Sequence, residues 1–377
     1  MILKSTKVWH KERFEPLKIE IAGSRIVGLK AYDSDGTAED YGDLRILPGL
    51  IDIHNHGYHG LDANHATKEW LRTWVQYLPS EGVTGILATT STVMEKDMLE
   101  GMSNIRDIIN ENPRGATILG VYSEGPLISQ KYRGAQDANF IVKPTIKTVE
   151  RYQNACGGHL KYCCIAPEED EGLEVTRYCT EKGIRVAIGH SGATFSQCAL
   201  AREAGAVSFV HTFNGMLGLH HREPGVAGAA MRFDDMYAEI IGDGIHVDFN
   251  VVNILGRIKG KDKLILVTDS IQIKGLKPGE YQMPGRHVFL GEDGVGHLPN
   301  GTIAGSTAKM NIIRGNLIEK AQLPEATAIN AATCNPLKML GLSRSKGYIE
   351  KGYDADLTVL MPDYSVRQTY VLGQKML

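Results

Sequence analysis

No basic block, no long apolar run and no paired-cysteine motif occurs in this chain of 377 residues. A net charge of −3 leaves no electrostatic footprint for nucleic acid, and the missing Lys/Arg block removes the signature of a membrane-surface protein. No apolar run approaches the roughly 18 residues that a spanning helix requires. The opening stretch "MILKSTKVWHKERFEPLKIE" lacks the apolar core of a secretory leader. The expectation is therefore a cytoplasmic protein with neither nucleic-acid nor membrane partners. The six cysteines (156, 163, 164, 179, 198 and 334) contain no C-x-x-C pair, so reduced, partly buried thiols are expected. No G-x-G-x-x-G follows an apolar run, which removes the dinucleotide-binding fingerprint.

What is present is a globular composition, 42% hydrophobic and 23% charged, with 42 glycines clustered after apolar runs. The first 48 residues alternate apolar and polar side chains in β fashion, as in "STKVWH", "PLKIEIAG" and "SRIVGLKAY". From Leu50 the texture changes. Eight apolar strand candidates follow: "LIDIHNH", "GILATT", "TILGVYSEG", "LKYCCIAPE", "RVAIGHSG", "VSFVHTFN", "YAEIIGDGIHV" and "KLILVTDS". Amphipathic segments at 67–79, 94–111, 145–156, 171–182, 194–204 and 249–259 separate most of them. Apolar strands joined by crossovers predict a parallel sheet covered on its outside. Eight such units suit an α/β fold, a (β/α)8 TIM-like barrel, with an open doubly wound sheet as the alternative. The Gly/Pro-rich stretch after the eighth strand reads as a β-hairpin excursion, and helical pattern resumes from about Ser306 to Leu340. The last stretch is β-like again. Residues 1–48 and 347–377 are therefore expected to form a small β-sandwich domain built from both termini, beside a barrel at 49–346.

In a parallel barrel the chemistry sits at the C-terminal ends of the strands. The stretch "ILPGLIDIHNHGYHG" places His54 and His56 there, two residues apart and so on one face of the strand. Glu124 ends the third strand, His190 the fifth, His211 and Asn214 the sixth, and Asp269 the eighth. A lone histidine at a strand end is usually a satisfied polar residue. Four of them with two acids are different, because each buried carboxylate needs compensation that a cation supplies. The set matches a Zn, Fe or Mn site. Such a cation lowers the pKa of water from about 15.7 toward 7, and Asp269 beside it can carry the proton to a leaving group. Hydrolysis of an amide or ester follows. Arg222, in the loop "GLHHREPG", and His246, past the seventh strand, are either an anion-binding pair or surface charge.

The ordered set "PGLIDIHNHG", "EGP", "GHSGAT", "HTFNGM", "HHREPGVAG", "DGIHVD", "VTDS", "GTIAGS" and "NAATCNPLKMLGL" resembles the N-acetylglucosamine-6-phosphate deacetylases of the amidohydrolase superfamily. So does the closing "KGYIEKGYDADLTVL". The resemblance implies Glu124, His190 and His211 as ligands of a principal divalent metal, Zn or Fe, with Mn or Co as further candidates. It implies His54 and His56 for a second ion, so one or two ions in all, and Asp269 as the catalytic acid/base. It also implies substrate contacts from Ala135, Gln136, Asn214, Gly215, Ile303, Ala304 and Gly305. Arg222 and His246 are implied on the phosphate side, near the partner's site in a homodimer. Two departures stand out: Gln136 where some relatives carry histidine, and Ser270 where alanine is common. The fourth strand ends "CCIAPEE" with no lysine, which disfavours a dihydroorotase or hydantoinase. The expected reaction is deacetylation of N-acetylglucosamine 6-phosphate. The alternatives are the same reaction on N-acetylgalactosamine 6-phosphate, or a catalytically silent sugar-phosphate-binding protein.

Overall fold

The computed structural model describes residues 1–283 and 286–377. Eight strands lie in sequence order in one parallel sheet: Leu50–Asn55, Val83–Thr90, Thr117–Ser123, Leu160–Ile165, Arg185–Ile188, Ala206–Phe209, Tyr237–Ile241 and Leu264–Val267. Every one coincides with a strand expected from the sequence. Beyond the eighth strand, Ser270 bridges in parallel to Asn55, so the last strand returns to the first and the sheet becomes a barrel. Two backbone bonds make that seam: the Asp269 N–H donates to the His54 carbonyl at 2.9 Å, and the His56 N–H to the Ser270 carbonyl at 2.7 Å.

The strands are apolar on both faces because both faces are covered. All eight residues of Val83–Thr90 are buried. One apolar cluster, with Ile53, Leu87, Tyr122, Tyr162, Val210 and Ile265, fills the barrel interior. A larger one, with Trp74, Ile86, Met102, Val149 and Leu255, lies between the strands and the helices outside them. Some of those helices start where the sequence offers caps: the Thr67 hydroxyl accepts from the Trp70 N–H, and Thr194 with Gln197 forms a capping box. One helix, Gly225–Arg232, falls outside the amphipathic segments of the sequence and begins at the last residue of the loop "GLHHREPG". Its residues Gly225 to Ala230 are all buried, so no polar face betrays a period of 3.6.

Both termini join one mixed sheet. Leu357–Leu360 runs antiparallel to Arg45–Pro48, which runs parallel to Ile2–His10; Arg13–Ala22 and Arg25–Ala31 continue the order. Its own apolar cluster includes Leu3, Val8, Ile19, Ile46, Val359 and Tyr370. The excursion after the eighth strand is a three-stranded antiparallel sheet of Gly279–Met283, Arg286–Leu290 and Gly296–His297. Residues 284 and 285 of the stretch read as a hairpin lie outside the described residues. Among the described residues no helix is long and apolar enough to cross a membrane. The six cysteines are free, and all are buried.

Candidate metal centre

The strand ends bring the expected residues together. Around Oε1 of Glu124 stand Nε2 of His54 at 3.2 Å, of His190 at 3.1 Å and of His211 at 3.0 Å. Nε2 of His56 lies 3.3 Å from Oε2 of the same carboxylate. Asp269 completes the group, its Oδ1 3.2 Å from His56 and 3.5 Å from His54. Two overlapping sets result, His54–His56–Glu124–Asp269 and Glu124–His190–His211, and Glu124 belongs to both.

Other groups aim the rings. Nδ1 of His54 faces Glu239 at 3.0 Å, Nδ1 of His56 the Thr89 carbonyl at 3.1 Å, and Nδ1 of His190 the Tyr132 carbonyl at 2.9 Å. A carbonyl only accepts, so in His56 and His190 Nδ1 carries a proton, and in the neutral ring it is Nε2 that presents a lone pair to the cluster. Three of these residues adopt positive φ: His190 (45°), His211 (24°) and Asp269 (49°). Such backbone costs about 1–3 kcal/mol at each site and gathers where function demands it.

The electrostatics are those of a centre built around positive charge. Burial pushes the Glu124 carboxyl up, but the imidazoles of His54, His190 and His56 outweigh it and hold Glu124 well below the carboxylate range. Burial likewise opposes protonation of His56, yet Glu124 and Asp269 raise it to about 9. His54 and His190 are raised against burial by Glu124 first. Asp269 is resisted by burial and brought down to about 2 by His54 and His56. The four imidazole Nε2 atoms lie within hydrogen-bond reach of Glu124, and in two pairs of one another. Their donor chemistry, nitrogen with carboxylate oxygen, fits a divalent cation.

Over this cluster opens a cavity of about 290 Å3. His56, Glu124, His190, His211 and Asp269 line its floor, and His54 lies fully buried beneath. Ala135, Gln136, Asn214 and Gly215 form one wall, and Ile303, Ala304 and Gly305 another. Gln136 is committed on both ends: its Nε2 donates to Oε2 of Glu124 at 2.9 Å, and its Oε1 accepts from the Thr92 N–H at 2.9 Å. His246 also lines the cavity, with Nδ1 donating to Asp243 at 2.6 Å and Nε2 buried without a partner among the described residues. Burial opposes its protonation, but Asp243 raises it above the usual imidazole value. Arg222 does not line the cavity. It is exposed, its Nη1 2.7 Å from Nε2 of His221.

Sequence reasoning missed two acids below the cluster. Glu239 is an acid inside the apolar "YAEII" and Asp52 one inside "LIDI", and a charge within an apolar run is the signal that marks them. Asp52 is satisfied by Asn55 at 2.9 Å and Thr268 at 2.6 Å across the barrel seam.

Residues 45–376 match the model of the amidohydrolase family. The chain belongs to that family. This amidohydrolase is 36% identical to the N-acetylglucosamine-6-phosphate deacetylase of Bacillus subtilis (strain 168), over 88% of this chain and 84% of the relative. It is 31% identical to the N-acetylgalactosamine-6-phosphate deacetylase of Escherichia coli O157:H7, over 87% of each. Among solved structures, an aspartate-to-alanine variant of N-acetyl-D-glucosamine-6-phosphate deacetylase from Mycobacterium smegmatis, in complex with N-acetyl-D-glucosamine-6-phosphate, superposes with a TM-score of 0.94 at 29% identity. That match covers 100% of this amidohydrolase and 99% of the other chain.

Proposed function

We propose that this amidohydrolase hydrolyses the acetamide of N-acetylglucosamine 6-phosphate to glucosamine 6-phosphate and acetate. The observation that carries the reading is Asp269 beside His54, His56 and Glu124, with His190 and His211 sharing Glu124, at the floor of a single-sugar-sized cavity. Its volume sits near the lower end of small-ligand pockets, about 300–1,000 Å3.

Glu124, His190 and His211 would hold the principal cation, Zn or Fe, and His54 and His56 a second one beside Asp269. When bound, a divalent cation there acidifies water and polarises the acetamide carbonyl. Asp269, a carboxylate at the edge of the cluster, takes the proton of the attacking water and returns it to the departing amine. Gln136 keeps Glu124 oriented, and its second amide N–H is free to meet the acetyl group. Asn214 and Gly215, with Ile303 to Gly305 opposite, close on the sugar. The Nε2 of His246, which has no partner among the described residues, would face the phosphate. Arg222 would reach that phosphate from the neighbouring subunit of a homodimer, which accounts for its exposure in one chain. The activity fits a cytoplasmic enzyme of amino-sugar use, with residues 1–48 and 347–377 as a β domain beside a barrel at 49–346.

An acetate-release assay on the two 6-phosphates and on unphosphorylated N-acetylglucosamine tests the reading. Fastest release from the gluco phosphate is expected. Preference for the galacto phosphate, favoured by the Escherichia coli relative, would replace the substrate; binding of both without acetate would leave a silent binding protein.

A further inference from the structure

A barrel strand buried on both faces is a costly place for a carboxylate, yet Glu239 sits in Tyr237–Ile241 with no exposure at all. Asp52, its counterpart in the first strand, is satisfied by amide and hydroxyl donors from Asn55 and Thr268. Glu239 is served differently. Its Oε2 accepts from Nδ1 of His54 at 3.0 Å and from the main-chain N–H of His211 at 3.1 Å. Among the described residues no lysine or arginine pairs with it, and its further polar neighbour is the buried phenol of Tyr162. Thus one buried oxygen touches a residue of each half of the cluster: the ring of His54 in one, and the backbone turn that carries His211, at φ 24°, in the other.

We propose that Glu239 is a positioning residue that fixes the ring tautomer of His54 and the turn of His211, tying the two halves of the cation cluster into one geometry. Accepting the Nδ1 proton leaves the Nε2 lone pair of His54 facing Glu124 and Asp269, and a carboxylate acceptor makes that nitrogen a stronger donor to a cation. Asp52 holds an amide and a hydroxyl; Glu239 holds a ring whose other nitrogen is 3.2 Å from Glu124. The inference rests on the reading of His54 and His211 as cation ligands, and not on the identity of the substrate.

The test is cation binding by the whole chain, stripped with chelator and titrated with zinc chloride against a competing indicator. Glu239→Gln keeps the shape and its amide oxygen can still accept from both the His54 ring and the His211 N–H, so the unfolding temperature of the stripped protein should hold, while loss of the carboxylate charge behind His54 lowers zinc affinity about 10–100-fold. In a His54→Gln background the same substitution should change zinc affinity no further. Unchanged affinity, or an equal further loss in that background, would overturn the proposal. A measurement on the unsubstituted zinc-loaded protein is independent of how the variant folds. An exchange-protected imidazole N–H at Nδ1 of His54 is expected by 15N NMR, assigned by its loss in His54→Gln; a ring proton found on Nε2 instead would also overturn it. Acetate release does not enter: a failed deacetylase assay leaves this result standing, and unchanged zinc affinity leaves the deacetylase reading standing.

Discussion

Oδ1 of Asp269 lies 3.2 Å from Nε2 of His56. This contact sets the acid/base at the edge of the cation cluster rather than within its centre, where Glu124 stands. Asp269→Asn should therefore cut turnover by about 10²–10⁴-fold, while metal analysis of the purified variant still finds cation bound. Near-normal acetate release from the Asn variant would remove Asp269 from the chemistry.

The cluster also governs how stability depends on pH once cation is stripped. His56 is raised to about 9 from 6.5, so it lends stability that is complete below pH 6.5 and lost as pH rises through 9. Asp269 is lowered to about 2 from 3.8, so its contribution is present above pH 4 and lost as pH falls toward 2. The cation-free protein should hold a plateau between these limits and lose up to about 3 kcal/mol on the alkaline side. Saturating zinc should remove that decline, since the ion takes the place of the protons. Urea unfolding across the range checks this, and a midpoint that stays flat from pH 6.5 to 9 without cation would contradict it.

Gly215 is held at φ 56°, and a Cβ built on it meets Nδ1 of His190 at 2.8 Å. That nitrogen already faces the Tyr132 carbonyl at 2.9 Å and has nowhere to retreat. Gly215→Ala should cost about 1–2 kcal/mol in backbone strain and, by turning the His190 ring, weaken zinc binding as well. Thermal unfolding and zinc titration read the two effects separately; a variant unchanged in both would show that the ring has room.

Much of this was legible in the sequence because burial on both faces leaves an unmistakable trace. The eight apolar runs mark the eight strands, and polar residues at their ends mark the cluster: His54, His56, Glu124, His190, His211 and Asp269 all meet. What stayed hidden has physical causes. The helix Gly225–Arg232 is small and buried throughout its first six residues, so it carries no amphipathic period. Glu239 is a single letter in an apolar strand, and its purpose depends on which way its side chain points across the barrel. The exposure of Arg222 beside His221 follows from the path of a loop, which residue types do not dictate.

Arg222→Ala should raise the KM for a phosphorylated substrate at least tenfold, as expected for loss of a charge-assisted contact of about 1.5–3 kcal/mol, with kcat little changed. The KM for the unphosphorylated sugar should stay within twofold. An equal loss on both substrates would place Arg222 outside phosphate recognition.

Anomalous diffraction at the absorption edge of the bound cation tests the gathering of these side chains most directly. A peak within ligand distance of Glu124 Oε1 and the Nε2 atoms of His190 and His211 is the expected result. A fully loaded crystal with no peak among those three residues would contradict it.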